Sequence, residues 1–170
     1  MKRKTLLIAA GFVLLAVIIL AVYFINTPKQ TVSYKKSMLT DNISSFETAA
    51  KTARALYEDG NEDGVWLFTV DTDANNLACY NGYEHLLYPL TEEQKKAFVT
   101  VKSVFRLDHL GFECLYVNEN FATFGIANGR ASFIYSKSNQ KPDFVNLAEI
   151  TDKNRVYVEK ITDNWFYACK

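Results

Sequence analysis

The chain has 170 residues, of which 49% are apolar and 22% charged, a composition typical of folded proteins and too apolar for a disordered one. Its 19 basic and 19 acidic side chains give a formal net charge of zero, which excludes the strongly basic domain expected of a nucleic-acid binder. The length fits one domain, and 7 glycines with 3 prolines exclude collagen-like and low-complexity chains.

The amino terminus predicts a transmembrane signal-anchor helix. Residues 1–4 are basic, whereas residues 5–25 carry no charge. A helix of about 21 residues spans about 30 Å, the thickness of the hydrocarbon core of a bilayer. A cleaved signal peptide fits less well, because its apolar core is about 7–15 residues long and small residues precede the cut. Here the bulky Tyr23, Phe24 and Ile25 end the run.

The charge pattern predicts the topology and the domain limits. Basic residues next to an apolar segment favour the cytoplasmic side, so residues 1–4 are expected to be a short cytoplasmic tail. The chain would then be a single-pass cell-membrane protein that contacts the lipid bilayer through residues 5–25. Residues 26–40 are polar and predict a linker. Residues 41–170 are expected to form an extracytoplasmic domain.

Two amphipathic helices are predicted in this domain. The first begins near Asp41 or at Ser44, and its apolar residues recur at steps of three and four: Ile43, Phe46, Ala50, Ala53 and Tyr57. The second follows Pro89, where Thr91 and Gln94 have the spacing of a capping box.

The strands and the turns between them predict the fold class. A strand that is apolar on both faces, and therefore central in a sheet, is expected at residues 65–70, and a short one at 77–80 is followed by the turn residues Asn81-Gly82. Strands with a period of two are predicted at residues 112–117, 121–127, 130–136, 156–161 and 165–169. The order favours an α+β domain with two helices packed on an antiparallel sheet of about five to seven strands.

The cysteine and histidine residues give little indication of a functional site. Cys79, Cys114 and Cys169 include no C-x-x-C spacing, so a zinc or redox site is not supported. Buried thiols are favoured, and a bridge between Cys114 and Cys169 is the alternative. A helix of about 15 residues between His85 and His109 would keep them about 20 Å apart, so one site holding both is not expected.

Acidic residues and serines give no site either. Asp71, Asp73 and Asn75 match the opening of a calcium loop, but Asn76 stands where glycine is required and Gly82 where the bidentate glutamate should be. The acidic turn at residues 58–64 is interpreted as a solvated helix end, and a weak extracellular cation site is the alternative. There is no G-x-S-x-G, S-x-x-K or glycine-rich phosphate loop. We therefore predict no catalytic, cofactor-binding or metal-binding residue, and no cofactor.

Aromatic residues are the remaining signal, at 14% of the chain. A candidate binding surface is predicted on the carboxy-terminal strands, because Tyr and Trp are enriched at interfaces. Its members are Tyr116, Tyr135, Tyr157, Trp165 and Tyr167. Ordinary packing within the sheet is the alternative. Since side chains alternate along a strand, Phe166 must point away from its two neighbours, and one of these aromatic sets is expected on an open face.

These observations favour a non-enzymatic, membrane-anchored extracytoplasmic domain for interaction or ligand sensing. An envelope protein is the expected partner, and nucleic acid is not. The compact layout of one anchor and one small domain favours a bacterial cell envelope. The first alternative is an envelope hydrolase that uses a carboxylate or His109. A minor alternative is a pilin-like structural subunit, because Gly11-Phe12 matches a pilin processing site, although Ala16 stands where pilins have glutamate.

Overall fold

The computed structural model describes residues 32–60, 64–71, 74–81, 84–107, 112–126, 131–142 and 157–169. The chain divides into two compact units, Met1–Tyr34 and Lys35–Lys170, and the fold given below is that of the second. The predicted cytoplasmic tail and membrane segment lie outside the described residues. Within the described ranges, no helix has the length and apolar character that a membrane span requires.

The described residues form three helices and one sheet of eight strands. The helices are α1 (Val32–Thr40), α2 (Ile43–Asp59) and α3 (Glu92–Leu107). The strands are β1 (Trp66–Val70), β2 (Asn76–Asn81), β3 (Glu84–Pro89), β4 (Phe112–Val117), β5 (Phe121–Ile126), β6 (Ala131–Ser136), β7 (Tyr157–Thr162) and β8 (Trp165–Cys169). Their order across the sheet is β3-β2-β1-β4-β5-β6-β8-β7, and every neighbouring pair is antiparallel.

The predicted α+β class is confirmed, while the numbers of strands and helices differ. The sheet has eight strands rather than five to seven, because residues 84–89 form β3 beside β2. The third helix is α1, which occupies part of the predicted linker. Met38 and Leu39 of α1 are buried, and Lys36 forms an ion pair with Glu159 at 3.6 Å. These tertiary contacts stabilise a short helix whose own sequence pattern is weak.

The start of α3 agrees with the position predicted from its capping residues. The amide N–H of Thr91 donates to Oε1 of Gln94 at 2.9 Å, and the N–H of Gln94 donates to Oγ1 of Thr91 at 3.3 Å. This is the predicted capping box, in which each side chain satisfies an amide that the first turn leaves without an intrahelical partner. Glu92 and Glu93 in the first turn, with Arg106 in the last, complement the helix dipole.

The core lies between the helices and one face of the sheet, which we call the helix face. Phe46 of α2 is fully buried at its centre. Its ring meets four other aromatic rings edge-on at centroid distances of 5.4–5.9 Å. These rings belong to Phe105 of α3, Phe124 of β5, Phe133 of β6 and Trp165 of β8. One side chain thus joins both amphipathic helices to three strands.

A buried arginine fastens α2 to the turn between β4 and β5. Arg54 donates to the carbonyl oxygens of Asn118 and Glu119 at 3.1 and 3.0 Å. It also donates to Oε1 of Glu58 at 3.0 Å, and the same oxygen accepts a hydrogen bond from Lys137 at 2.8 Å. Lys137 directly follows β6, so the cluster connects α2 with the ends of β4, β5 and β6.

Acid should weaken this cluster through Glu58. The hydrogen bond from Lys137, followed by that from Arg54, holds the pKa of Glu58 below its ordinary value of 4.5. A carboxylate with a lowered folded-state pKa contributes stability that is present above its unfolded-state pKa and lost as pH falls through the folded-state pKa. The difference in unfolding free energy between the native chain and Glu58→Gln is therefore expected to shrink as pH falls from 6 to 3.

Urea unfolding of both chains at several pH values measures this difference. Glu47→Gln is the matched control on the same helix, since it removes an ion pair with Lys51 that is solvent-exposed at both ends. Such a pair contributes little to stability, so the control should differ only slightly from the native chain at every pH. A Glu58→Gln deficit that stayed constant from pH 6 to 3 would contradict the linkage.

Candidate functional site

The face of the sheet opposite the helices carries a row of side chains in register across four strands. His85 of β3 is paired with Tyr80 of β2, and Tyr80 is paired with Leu67 of β1. Leu67 is paired in turn with Tyr116 of β4. Leu87 lies two residues from His85 and therefore on the same face. Cross-strand neighbours have Cβ atoms about 4.5–5.5 Å apart, so these five side chains form one continuous surface, the open-face patch.

The open-face patch is accessible to solvent. Leu87 is 62% exposed and Tyr80 is 42% exposed, while His85 is also in the exposed class. Leu67 and Tyr116 are partly buried. The ring of Tyr80 stacks on the imidazole of His85 with centroids 4.6 Å apart and an interplanar angle of 20°. The patch therefore combines aliphatic area with two stacked rings that keep polar atoms at their edges.

The same row becomes buried as it continues across the sheet. Tyr116 is paired with Thr123, followed by Ile134 on β6 and Phe166 on β8. Ile134, Phe166 and Ala168 form a buried cluster, against which Phe121 and Val158 pack. The face of the sheet opposite the helices is thus accessible over β1–β3, while its side chains on β6 and β8 are buried.

The structure places the predicted aromatic residues in three different environments. Trp165 and Tyr167 are fully buried on the helix face, where burial raises the pKa of the Tyr167 hydroxyl. The ring of Tyr135 packs edge-on against that of Trp165, with ring centroids 5.3 Å apart. Tyr157 is 51% exposed on the edge strand β7, and its hydroxyl donates to Glu159 at 2.7 Å. Of the predicted set, Tyr116 belongs to the open-face patch.

The aromatic run at residues 165–167 shows why the predicted surface needs correction. Phe166 does point to the opposite face from Trp165 and Tyr167, as strand alternation requires. All three side chains are nevertheless buried, at 0%, 2% and 2% exposure for Trp165, Phe166 and Tyr167. Phe166 packs into the cluster with Ile134 and Ala168 rather than facing solvent. The five predicted residues therefore do not form a single surface.

The residues that sequence reasoning missed are Leu67, Tyr80, His85 and Leu87. Three of them lie on the hairpin of β2 and β3, and β3 was not predicted. A signal was present, because Asn81-Gly82 after an apolar run is typical of a hairpin and implies a returning strand. No local pattern in the sequence indicates that this face of the hairpin is exposed to solvent.

Among the described residues, the polar side chains singled out in the sequence do not come together as a metal site. The described portion of the chain holds no group of three or more His, Cys, Asp or Glu side chains placed to bind a metal ion. The Asp71 carboxylate accepts the amide N–H groups of Asn75 and Asn76 at 2.8 and 3.1 Å, so it organises its own turn. Asp73 and His109 lie outside the described residues.

The cysteines are thiols placed far from one another. Cys79 is fully buried on β2, where burial raises its pKa to about 11, so its reactive thiolate is scarcely populated at neutral pH. Cys114 is buried on β4, and Cys169 is partly exposed on β8. Strands β4 and β8 are separated by β5 and β6, a distance of about 14 Å at the usual strand spacing. A bridge between Cys114 and Cys169 is therefore excluded in this fold.

Comparison with known proteins finds no match for this chain among protein-family models, curated proteins or solved structures. The candidate site is accordingly defined by the geometry of the described residues. It consists of an aromatic and aliphatic surface on four neighbouring strands, exposed at Tyr80, His85 and Leu87, with the helix-face core on the other side of the sheet. Such an arrangement can bind a partner by burying apolar area and by hydrogen bonding through the edges of the Tyr80 and His85 rings.

Proposed function

We propose that this chain is a membrane-anchored extracytoplasmic interaction or ligand-sensing domain of a bacterial cell envelope. In this proposal residues 5–25 cross the bilayer with the amino terminus in the cytoplasm, and the folded domain binds an envelope protein through the open-face patch. The observation that carries the proposal is the exposure of Tyr80 and Leu87 on a sheet face where His85, Leu67 and Tyr116 continue the surface in register.

The chemistry of the patch supports binding more than simple structural packing. Single exposed apolar residues are ordinary on protein surfaces, whereas contiguous ones mark interaction sites. Tyrosine provides a large rigid contact area at a small loss of side-chain entropy, and its hydroxyl offers a directional hydrogen bond. The stacking of Tyr80 on His85 further restricts both rings before a partner arrives. Preorganisation of this kind reduces the entropic cost of association.

The two alternative functions receive no comparable support. A hydrolase needs several convergent polar groups, and the charged clusters within the described ranges are occupied in holding turns and helix ends together. His109, the histidine of that alternative, lies outside the described residues, and His85 is stacked on Tyr80 at the surface. The pilin-like reading depends on residues 11–16, which lie outside the described residues.

The proposal is tested on the full chain in the membranes of cells that produce it. Fractionation should recover an intact chain with the membranes, whereas a soluble form beginning near Pro28 would contradict the anchor. A photocrosslinking amino acid is then placed at position 80 or, as a control, at position 157. Both native residues are exposed tyrosines, at 42% and 51%, but only Tyr80 lies in the patch.

We expect a discrete crosslinked partner from position 80 and none from position 157. With that partner purified, Tyr80→Ala should weaken binding about 10- to 30-fold, since truncating a central interface residue typically costs about 1.4–2 kcal/mol. Tyr157→Ala should leave the affinity unchanged. Equal crosslinking at the two positions, or equal affinities of the two alanine variants, would refute the assignment of the patch.

A further inference from the structure

The two edge strands of the sheet, β3 and β7, differ in how well they are protected against pairing with a strand of another chain. An edge strand presents unpaired N–H and C=O groups, and natural proteins commonly place charged residues on it to prevent pairing with another chain. The edge strand β7 carries Glu159 and Lys160 at its centre. The edge strand β3 has its charged residue, Glu84, at its first position and continues as His-Leu-Leu-Tyr-Pro. The centre of β3 therefore lacks the charges that guard the other edge.

The backbone of β3 shows which groups point outward. The amide of Leu90 donates to the carbonyl of Asn75 at 3.0 Å, which directs the backbone groups of even-numbered positions toward β2. By alternation, the N–H and C=O groups of His85 and Leu87 point away from β2, toward the edge of the sheet. Pro89 has the same orientation, so its missing N–H costs no hydrogen bond within the sheet.

We propose that β3 pairs antiparallel with β3 of a second copy of this chain, about a two-fold axis at Leu86. In this register His85 lies opposite Leu87 of the partner subunit, and each such pair exchanges both N–H···O bonds. Every outward N–H and C=O of these two residues is then satisfied. Leu86 meets Leu86 of the partner subunit, and the Pro89 residues lie beyond the paired segment. Although His85 and Leu87 belong to the open-face patch, the pairing uses their backbone groups, whereas the proposed function uses side chains of the patch.

The charges of the strand are compatible with self-pairing. The antiparallel arrangement places Glu84 opposite Tyr88 of the partner subunit, so the two Glu84 side chains lie at opposite ends of the joined strands. The two-fold axis is perpendicular to the sheet, which keeps both helix faces on one side and both open faces on the other. The exposed Leu87 side chains and the adjoining patches of the two copies then form one larger surface.

Disulfide trapping in the full chain tests the register. Residues opposite each other in a non-hydrogen-bonded antiparallel pair have Cα atoms about 4.5 Å apart, within the range of about 4.4–6.8 Å that a disulfide spans. Leu86→Cys and its control are made in a Cys79→Ala chain, because Cys79 is the cross-strand neighbour of Leu86 on β2 and would otherwise form an intramolecular disulfide with the new thiol. In membranes under mild oxidation, the Leu86→Cys chain should then give a covalent dimer. Leu87→Cys is the matched control. Its native residue is 62% exposed, but it would lie opposite His85 of the partner subunit and more than about 7 Å from its own counterpart.

A dimer from Leu86→Cys, with little from Leu87→Cys or from the native thiols, supports the proposal. Equal crosslinking from both variants would indicate random collision, and a monomer or an adduct of another mass from Leu86→Cys would overturn self-pairing. Leu87→Lys gives an independent measurement, because it places a charge at the centre of the edge. Sedimentation of the full chain in detergent should show a dimer that Leu87→Lys dissociates. Tyr157→Lys, on the opposite edge, should leave it intact.

Discussion

Phe46→Ala is expected to lower the free energy of unfolding by about 3–5 kcal/mol, the usual cost of truncating a fully buried phenylalanine. The substitution removes edge-on contacts with four rings, contributed by α3 and by three strands. Helix and sheet can close only part of the resulting cavity, because the neighbouring rings are held by their own backbones. A loss of this size is a large fraction of the 5–15 kcal/mol that stabilises a typical domain.

Urea-dependent proteolysis of the full chain in membranes measures this loss without removing the protein from its lipid environment. Val99→Ala is the control, since Val99 is 48% exposed on α3 and should lose less than about 0.5 kcal/mol. A Phe46→Ala variant as stable as the control would show that the two helices do not pack on the sheet as described.

Arg54→Met is expected to cost about 2–3 kcal/mol, because it removes charge-assisted hydrogen bonds and keeps most of the side-chain volume. The carbonyl oxygens of Asn118 and Glu119 lose their donor, and Glu58 loses one of its two basic partners. Because Arg54 is only 5% exposed, water can replace these contacts poorly. The turn between β4 and β5 should loosen from α2 and become more sensitive to proteolysis.

The same helix provides a matched control for Arg54. Lys51 pairs with Glu47 at a spacing of four residues, as Arg54 pairs with Glu58, but both members of the Lys51–Glu47 pair are exposed. Lys51→Met should therefore change stability by less than about 0.5 kcal/mol. Urea unfolding of the two variants compares an exposed ion pair with one whose arginine is buried and also binds a turn. Equal losses would mean that the contacts of Arg54 with the turn contribute nothing.

Signals that depend on neighbouring residues in the chain were sufficient for much of the fold. The Thr91–Gln94 capping box positioned the start of α3, and the apolar spacing around Phe46 identified the buried side of α2. The alternation of Trp165, Phe166 and Tyr167 correctly placed them on opposite faces. Each of these features follows from helix or strand geometry over a few residues.

Elements stabilised by distant partners were missed. Helix α1 has a weak amphipathic pattern, and what holds it is the burial of Met38 and Leu39 together with an ion pair to Glu159 on β7. Strand β3 has no clear alternation and exists as a strand because β2 supplies its hydrogen-bonding partner. In both cases the stabilising groups are brought together only when the chain folds.

The sequence by itself determined the α+β class, the strands and turns of the β5–β6 and β7–β8 hairpins and the alternation of residues 165–167, because these depend on local periodicity and turn chemistry. The tertiary structure alone decided which aromatic residues are exposed. Strand β8 lies inside the sheet between β6 and β7, with one face against the helices, so Trp165 and Tyr167 are core residues. The β2–β3 hairpin lies at the sheet edge, where Tyr80 and Leu87 remain accessible. Exposure depends on the order of strands and on what covers each face, which residues adjacent in sequence do not specify.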